Sequence, residues 1–208
     1  MRLHPAWVAA FEEAWHAYRE DSVPVGAVFV APSGDVVHRG RNQVYGVRAP
    51  GMHLSHTRLA HAEMNVLTQA APEERLYEGI LYTTLEPCAM CLGAALVCGV
   101  RHIRYAADDG PTEAARLLAS HPLLASKHVV LDGPDAFLGA VSLVLMSDWI
   151  LREASPTAER TLDGYSRQHP VAVDLARRWH ASRRLQRMAQ DGVDLAGLLA
   201  EVQQALQV

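Results

Sequence analysis

The chain has 208 residues, half of them apolar, and a formal net charge of −4 at pH 7. That length suits one domain with an extension, or a small pair, with enough apolar surface for a sizeable core. The charge argues against a general nucleic-acid binder. The three cysteines, Cys88, Cys91 and Cys98, crowd into one segment, which makes a poor disulfide framework and reads instead as metal binding or catalysis in a reducing compartment.

Trp7, Phe11, Ala14, Trp15 and Tyr18 recur at helical spacing, so residues 5–20 are expected to form an amphipathic helix. SVPVGAVFVA (22–31) reads as a strand, Pro32-Ser33-Gly34 as a turn and residues 35–42 as the returning hairpin partner. Residues 43–58 carry no period and read as a loop. A helix over 60–71, a strand over 79–85 and a helix from Pro87 to about Val97 follow, with Gly99 just past the helix end. Strands are then expected at 101–107 and 127–133, and helices at 113–120 and 136–153. A hairpin followed by alternating units argues for an α/β fold: a five-stranded mixed sheet with helices on its faces.

After Ala154 the composition shifts. Residues 154–170 are polar and turn-rich and read as a linker or surface loop, and 171–208 as a helical extension of two helices. In the second helix, Leu195, Leu198, Leu199, Val202 and Leu206 keep helical spacing, and Asp191 or Asp194 is placed to cap it. Glu12 and Glu13 interrupt the apolar N-terminus, unlike the core of a signal peptide. The run AVSLVLM (140–146) is too short to cross a bilayer. A cytoplasmic protein without membrane contact is the expectation.

Two clusters carry the chemistry: HAE (61–63) and PCAMC (87–91). Cys88 and Cys91, at i and i+3 in the first turn of a helix, project from one face, where unpaired N–H groups favour thiolates. His61 offers a third ligand. Three protein ligands leave a fourth position for water, the arrangement of a catalytic zinc rather than a structural one. Such water has a pKa of about 7. Glu63 sits two residues from His61, close enough to move a proton between that water and a leaving amine. H-x-E followed by P-C-x-x-C is the signature of zinc deaminases, which replace a ring amine by a carbonyl and release ammonia. Taken separately, an HAE on a helix or a CxxC is common; their order, each opening a helix, with Pro87 before the first cysteine, gives them meaning. Cys98 lies outside the pattern and reads as a buried small apolar residue.

VPVGAV (23–28), GRN (40–42), HAE, LYTTLEPCAMC (81–91) and RHIRYAADD (101–109) resemble the cytidine deaminase superfamily, nearest the branch of tRNA adenosine deaminases and bacterial guanine deaminases. The resemblance covers residues 5–150 and implies a three-layer α-β-α deaminase domain over 1–153. It implies one zinc per chain on His61, Cys88 and Cys91, with Glu63 as the proton shuttle. It further implies that Asn42 hydrogen-bonds the substrate, that Val25, Gly26 and Ala27 wall the base pocket, and that the chain forms a homodimer. For Asn42 the competing reading is a loop cap, and for residues 25–27 an ordinary core strand.

The substrate is less legible. tRNA adenosine deaminases carry Asp-Pro-Thr before Ala-His-Ala-Glu, whereas Ser55-His56-Thr57-Arg58-Leu59 stands here. Residues 1–150 hold 11 Lys+Arg against 16 Asp+Glu, a poor RNA platform. Arg177, Arg178, Arg183, Arg184 and Arg187 cluster in what reads as one helix of the extension, more simply a solvated face than a phosphate grip. The expectation is a small nucleobase or nucleoside, an aminopurine first, with the extension acting as a lid over the pocket. The alternatives are a tRNA-specific adenosine deaminase, a cytidine- or deoxycytidylate-type pyrimidine deaminase (Asn65 being shared with the latter), and an inactive zinc-binding scaffold subunit.

Overall fold

The computed structural model describes residues 3–46, 54–110, 118, 120 and 122–206. Its first helix, α1 (Pro5–Arg19), starts where the sequence places it. Pro5 fits the first turn, and the His4 side chain accepts from the Ala6 N–H. Strand β1 (Gly26–Val30) pairs antiparallel with β2 (Val36–Arg41) and with β3 (Ile80–Thr83). Strands β4 (His102–Tyr105) and β5 (Val130–Asp132) continue from β3 in parallel, giving a five-stranded mixed sheet in the order β2-β1-β3-β4-β5. The strands are shorter than the sequence suggests, and β5 is an exposed edge. The helix expected at 113–120 falls largely outside the described residues; residues 118 and 120 are helical, and a short α4 (Pro122–Ala125) follows.

Two glycines let helices approach the sheet on opposite faces. A Cβ on Gly26 would lie 2.0 Å from the Ala10 carbonyl oxygen, and one on Gly40 would lie 2.6 Å from the Ala62 oxygen. Gly40 pairs with Ala27, the neighbour of Gly26, and side chains alternate along a strand. Helix α1 therefore covers one face and α2 (Ala62–Leu67) the other. Helix α1 buries Trp7, Phe11, Trp15 and Tyr18, each contributing about 1.5–3 kcal/mol. Trp7 meets Tyr82 edge-on at 5.0 Å. Helix α3 (Ala89–Val97) packs beside α2. Helix α5 (Ala136–Glu153) lies near α1, capped by Asp135, which accepts from the Leu138 N–H at 2.8 Å.

The segment 154–170 is not a linker. It holds α6 (Ala158–Gln168), whose Ala158, Leu162 and Tyr165 are buried at i, i+4 and i+7. Three apolar positions among eight polar ones keep the helix period but read as a polar tract in composition. The extension continues as α7 (Pro170–Ala181), α8 (Arg184–Gln190) and α9 (Leu195–Leu206), three helices where two are expected. The chain breaks between α7 and α8 because Arg183 takes a left-handed conformation, φ 52°. The five arginines therefore do not share a helix. Arg177 pairs with Glu159 at 2.6 Å and Arg184 with Glu201 at 2.8 Å, tying extension helices to one another.

The extension and the sheet share one hydrophobic core, with Leu162, Leu175, Leu185 and Leu198 buried in the same cluster as Phe11, Leu143 and Leu145. The Trp15 indole donates to the Val193 carbonyl at 2.8 Å. Asp194 caps α9 by accepting from the Gly197 N–H. Buried Asp148 of α5 accepts from the Tyr18 hydroxyl at 2.5 Å and meets His180 Nδ1 at 3.2 Å, joining α1, α5 and α7. No helix among the described residues is long and apolar enough to cross a membrane.

Candidate metal centre and pocket

Helices α2 and α3 begin beside one another, and the residues at their N-cap positions are His61 and Cys88. Ser, Thr, Asp or Asn usually stands there and bonds its own helix. Here neither side chain does so; both turn toward each other. His61 Nδ1 lies 3.7 Å from Cys88 Sγ and 3.5 Å from Cys91 Sγ, and the two sulfurs lie 3.7 Å apart. A tetrahedral zinc, with bonds of about 2.3 Å to sulfur and about 2.0–2.1 Å to nitrogen, sets its sulfurs about 3.8 Å apart and sulfur from nitrogen about 3.5–3.6 Å. The triangle has those dimensions, so the donor set fits zinc in both chemistry and size. Among the described residues this is the group whose ligand atoms lie within 4.8 Å of one another.

The electrostatics of the trio are those of a site ready to lose protons to a cation. The hydrogen bond with Cys91, and then the one with His61, hold the Cys88 thiol down to about 4. The same contact with Cys88, together with burial, pushes Cys91 up, and the Cys88 hydrogen bond raises His61. A bound metal would hold both sulfurs as thiolates.

Glu63, in the first turn of α2, is 3% exposed. The Thr83 hydroxyl at the end of β3 donates to its Oε1 at 3.2 Å. Burial raises the Glu63 carboxyl above the usual range.

His61, Glu63 and Cys88 line a cavity of about 430 Å3 together with Val25, Asn42, Leu85, Glu86 and Asp109. Asn42 is buried, and its Oδ1 accepts from the Ser22 hydroxyl at 2.9 Å and the Val44 N–H at 3.0 Å. Its carbonyl is thus held in place as a loop cap, which also fixes the amide nitrogen at the cavity wall. Val25 lines the cavity, but Gly26 and Ala27 do not. Gly26 faces α1 and its N–H donates to Thr84 Oγ1, while Ala27 is wholly buried in the core. The strand begins only at Gly26, so the pocket wall is the residue before it. Cys98 is exposed at the end of α3, not buried. Asn65 lies outside the cavity; its amide donates to the Arg41 carbonyl and its Oδ1 accepts from the Leu54 N–H.

Several pocket residues carry no signal that sequence reasoning used. Glu86 stands inside the LEPC stretch, and Asp109 ends the RHIRYAADD stretch; the Asp109 N–H donates to Glu86 Oε2 at 3.2 Å. Met146 reaches the cavity from α5. Tyr45 at the mouth rests against Trp149 at 5.9 Å. Among the described residues none of 154–206 lines the cavity, so this part of the extension is not a lid across it; it reaches the rim through the Tyr165 hydroxyl, which donates to Asp109 Oδ1 at 3.2 Å.

A helical pair presenting one histidine and two cysteines, with a buried glutamate beside them at the end of a mixed sheet, is the arrangement that zinc-type deaminases use. Residues 3–107 match the cytidine and deoxycytidylate deaminase zinc-binding region, and the chain belongs to this family. The solved structure of a tRNA:A34 deaminase, from a study of A-to-I editing at the wobble position of transfer RNA, is 31% identical; the match covers 66% of this chain and 95% of that one, with a TM-score of 0.53. A tRNA(Ile)-lysidine synthase of Thermus thermophilus is 46% identical over 100 residues, 48% of this chain but 17% of that protein. A tRNA-specific adenosine deaminase of Streptococcus pyogenes is 31% identical over 103 residues, 48% of this chain and 59% of that protein. The chain thus spans less than two thirds of the length of these curated relatives.

Proposed function

We propose that this chain is a zinc-dependent hydrolytic deaminase that acts on the exocyclic amine of a small nucleobase or nucleoside, an aminopurine first. The observation that carries the reading is the His61–Cys88–Cys91 triangle, which opens with buried Glu63 on a cavity fronted by Asn42. His61, Cys88 and Cys91 would hold the zinc, which supplies a water activated near neutral pH. Glu63, fixed by Thr83, would take one proton from that water and pass it to the ring nitrogen, then take a second from the hydroxyl left on the ring carbon and pass it to the departing amine, so that ammonia leaves as the carbonyl forms. Asn42 offers its amide to a ring or sugar acceptor, and Val25 and Leu85 pack the base and exclude bulk water. The acidic pair Glu86 and Asp109 at the cavity disfavours a phosphate beside the reacting base.

The position of Asn65 removes one reason for a pyrimidine substrate, since its side chain ties two backbone segments together. A cytoplasmic homodimer belongs to this reading. Helix α3 turns Met90, Gly93, Ala94, Val97 and Cys98 outward along one stripe, with Val97 88% exposed, a face suited to a second copy. A second reading, adenosine within tRNA, is favoured by the relatives whose names specify that substrate and by the match to nearly the whole of a tRNA:A34 deaminase.

Glu63→Gln tests the reading. The variant is expected to keep its zinc and fold while ammonia release from the wild-type substrate disappears; release at the parent rate would remove Glu63 from the chemistry.

A further inference from the structure

We infer that the groove between α5 and the α7–α8 turn is a binding site for phosphate groups. The groove, about 650 Å3, is walled by Arg152, His180, Arg183 and Arg187 with Gln186 and Gln190, and among the described residues no carboxylate lines it. Arg152 is already neutralised by Asp21, and His180 rests on buried Asp148. Arg183 and Arg187 are different. Both are exposed, and neither guanidinium has an ion pair or hydrogen bond among the described residues, whereas neighbouring Arg177 and Arg184 are each paired. Two unpaired guanidinium groups four residues apart face one concavity.

Two further observations point to a ligand. Arg183 holds a left-handed backbone, φ 52°, a conformation that costs an L side chain energy and tends to persist where function requires it. Gln186 Oε1 is buried and without a partner in the same groove. An unsatisfied amide oxygen in the wall leaves a polar atom of the groove wanting a partner. Planar guanidinium forks match phosphate oxygens in pairs.

One helix, α5, runs past both the groove and the zinc-ligand cavity. Met146 lines the zinc cavity, Trp149 supports Tyr45 at its mouth, and Arg152 lines the groove, each three residues further along α5. Met146 and Arg152 are about 9 Å apart along the helix axis. On the other side Asp21, the partner of Arg152, is next to Ser22, which holds Asn42. A phosphate in the groove is either a backbone phosphate of a polynucleotide or the phosphate of a free nucleotide or inorganic ion.

The test reads binding, not turnover, so it stands apart from the deamination reading. Fluorescence anisotropy would follow a labelled RNA stem-loop on the full-length zinc-loaded protein over a salt series, for wild type, Arg187→Gln and Arg183→Gln/Arg187→Gln. Melting temperature and zinc content serve as fold controls, and the single variant leaves the left-handed turn untouched. The groove predicts an RNA affinity lower by about tenfold in the double variant and a shallower salt slope, by about 1–2 for two lost phosphate contacts. In a second arm, titrations of inorganic phosphate and a nucleoside monophosphate would follow the same proteins. Weakened binding of these small anions alone would support the site and make its ligand a free phosphate. Unchanged affinity for the RNA and for both small anions in the double variant would overturn it.

Discussion

The Tyr165 hydroxyl donates to the Asp109 carboxylate at 3.2 Å, across 56 residues of sequence, and so connects helix α6 of the extension to the rim of the zinc pocket. Asp109 is also held from its backbone, by Glu86. Removing the hydroxyl with Tyr165→Phe keeps the ring packed and costs about 1 kcal/mol in stability. Because the rim loosens while Glu63 and the zinc ligands stay in place, KM is expected to rise by up to roughly fivefold with kcat nearly unchanged. Steady-state kinetics check this; a loss confined to kcat would place Tyr165 elsewhere in the account.

Truncation after Ala154 tests whether the extension is separable. It would strip Leu162, Tyr165, Leu175, Leu185 and Leu198 from the shared core and leave buried Asp148 without His180. Each large apolar side chain removed costs about 2–5 kcal/mol, against a total stability of about 5–15 kcal/mol. The truncated chain is expected to be insoluble or unfolded by circular dichroism. A soluble, cooperatively melting 1–154 fragment would show that the sheet domain stands alone.

Gly26→Ala probes the close approach of α1. The added Cβ would sit 2.0 Å from a backbone oxygen, so helix or strand must shift. A destabilisation of about 1–3 kcal/mol, or more, is expected, read as a melting temperature lower by roughly 2–4 °C per kcal/mol. An unchanged melting temperature would mean the two backbones are further apart than described.

Alkali should destabilise the protein. Burial, and after it a neighbouring carboxylate, raises the hydroxyls of Tyr18, Tyr105 and Tyr165 above the usual tyrosine range, the carboxylates being Asp148, Asp108 and Asp109. A group with a raised folded-state pKa contributes stability that is complete below its unfolded pKa, about 10, and is lost as pH rises toward the folded value. The urea midpoint is expected to hold between pH 8 and 9 and to fall above about pH 10. A midpoint that stayed flat to pH 11 would contradict the burial of these hydroxyls.

The oligomer is open to a direct test. Val97→Glu places a charge at the most exposed apolar position of the α3 stripe, where a monomer would tolerate it. Sedimentation is expected to show a dimer for the wild type and a monomer for the variant. Equal masses would move the dimer face off α3.

The His61–Cys88–Cys91 cluster is legible in the sequence because zinc chemistry admits few residue types and these residues sit at helix starts, where spacing fixes direction. The sheet and the helix over 136–153 were legible through periodicity. Helix α6 was not, because three buried residues among polar ones look like a loop. The pocket wall was misplaced onto Gly26 and Ala27, because a run of small and β-branched residues does not show where the strand begins. The residue type of Cys98 points to the core, whereas the helix turns it to solvent. Tyr165 and Asp109 carry no local signal of their pairing; only the packing of α6 brings them together.

The most direct test of the account is ammonia release by zinc-loaded protein offered guanine, adenine, cytosine, their nucleosides and monophosphates, and a tRNA anticodon stem-loop. The account predicts zinc-dependent release from a free purine base or nucleoside, abolished by chelation and by Glu63→Gln. No release from any member of the panel by protein carrying its zinc would contradict it.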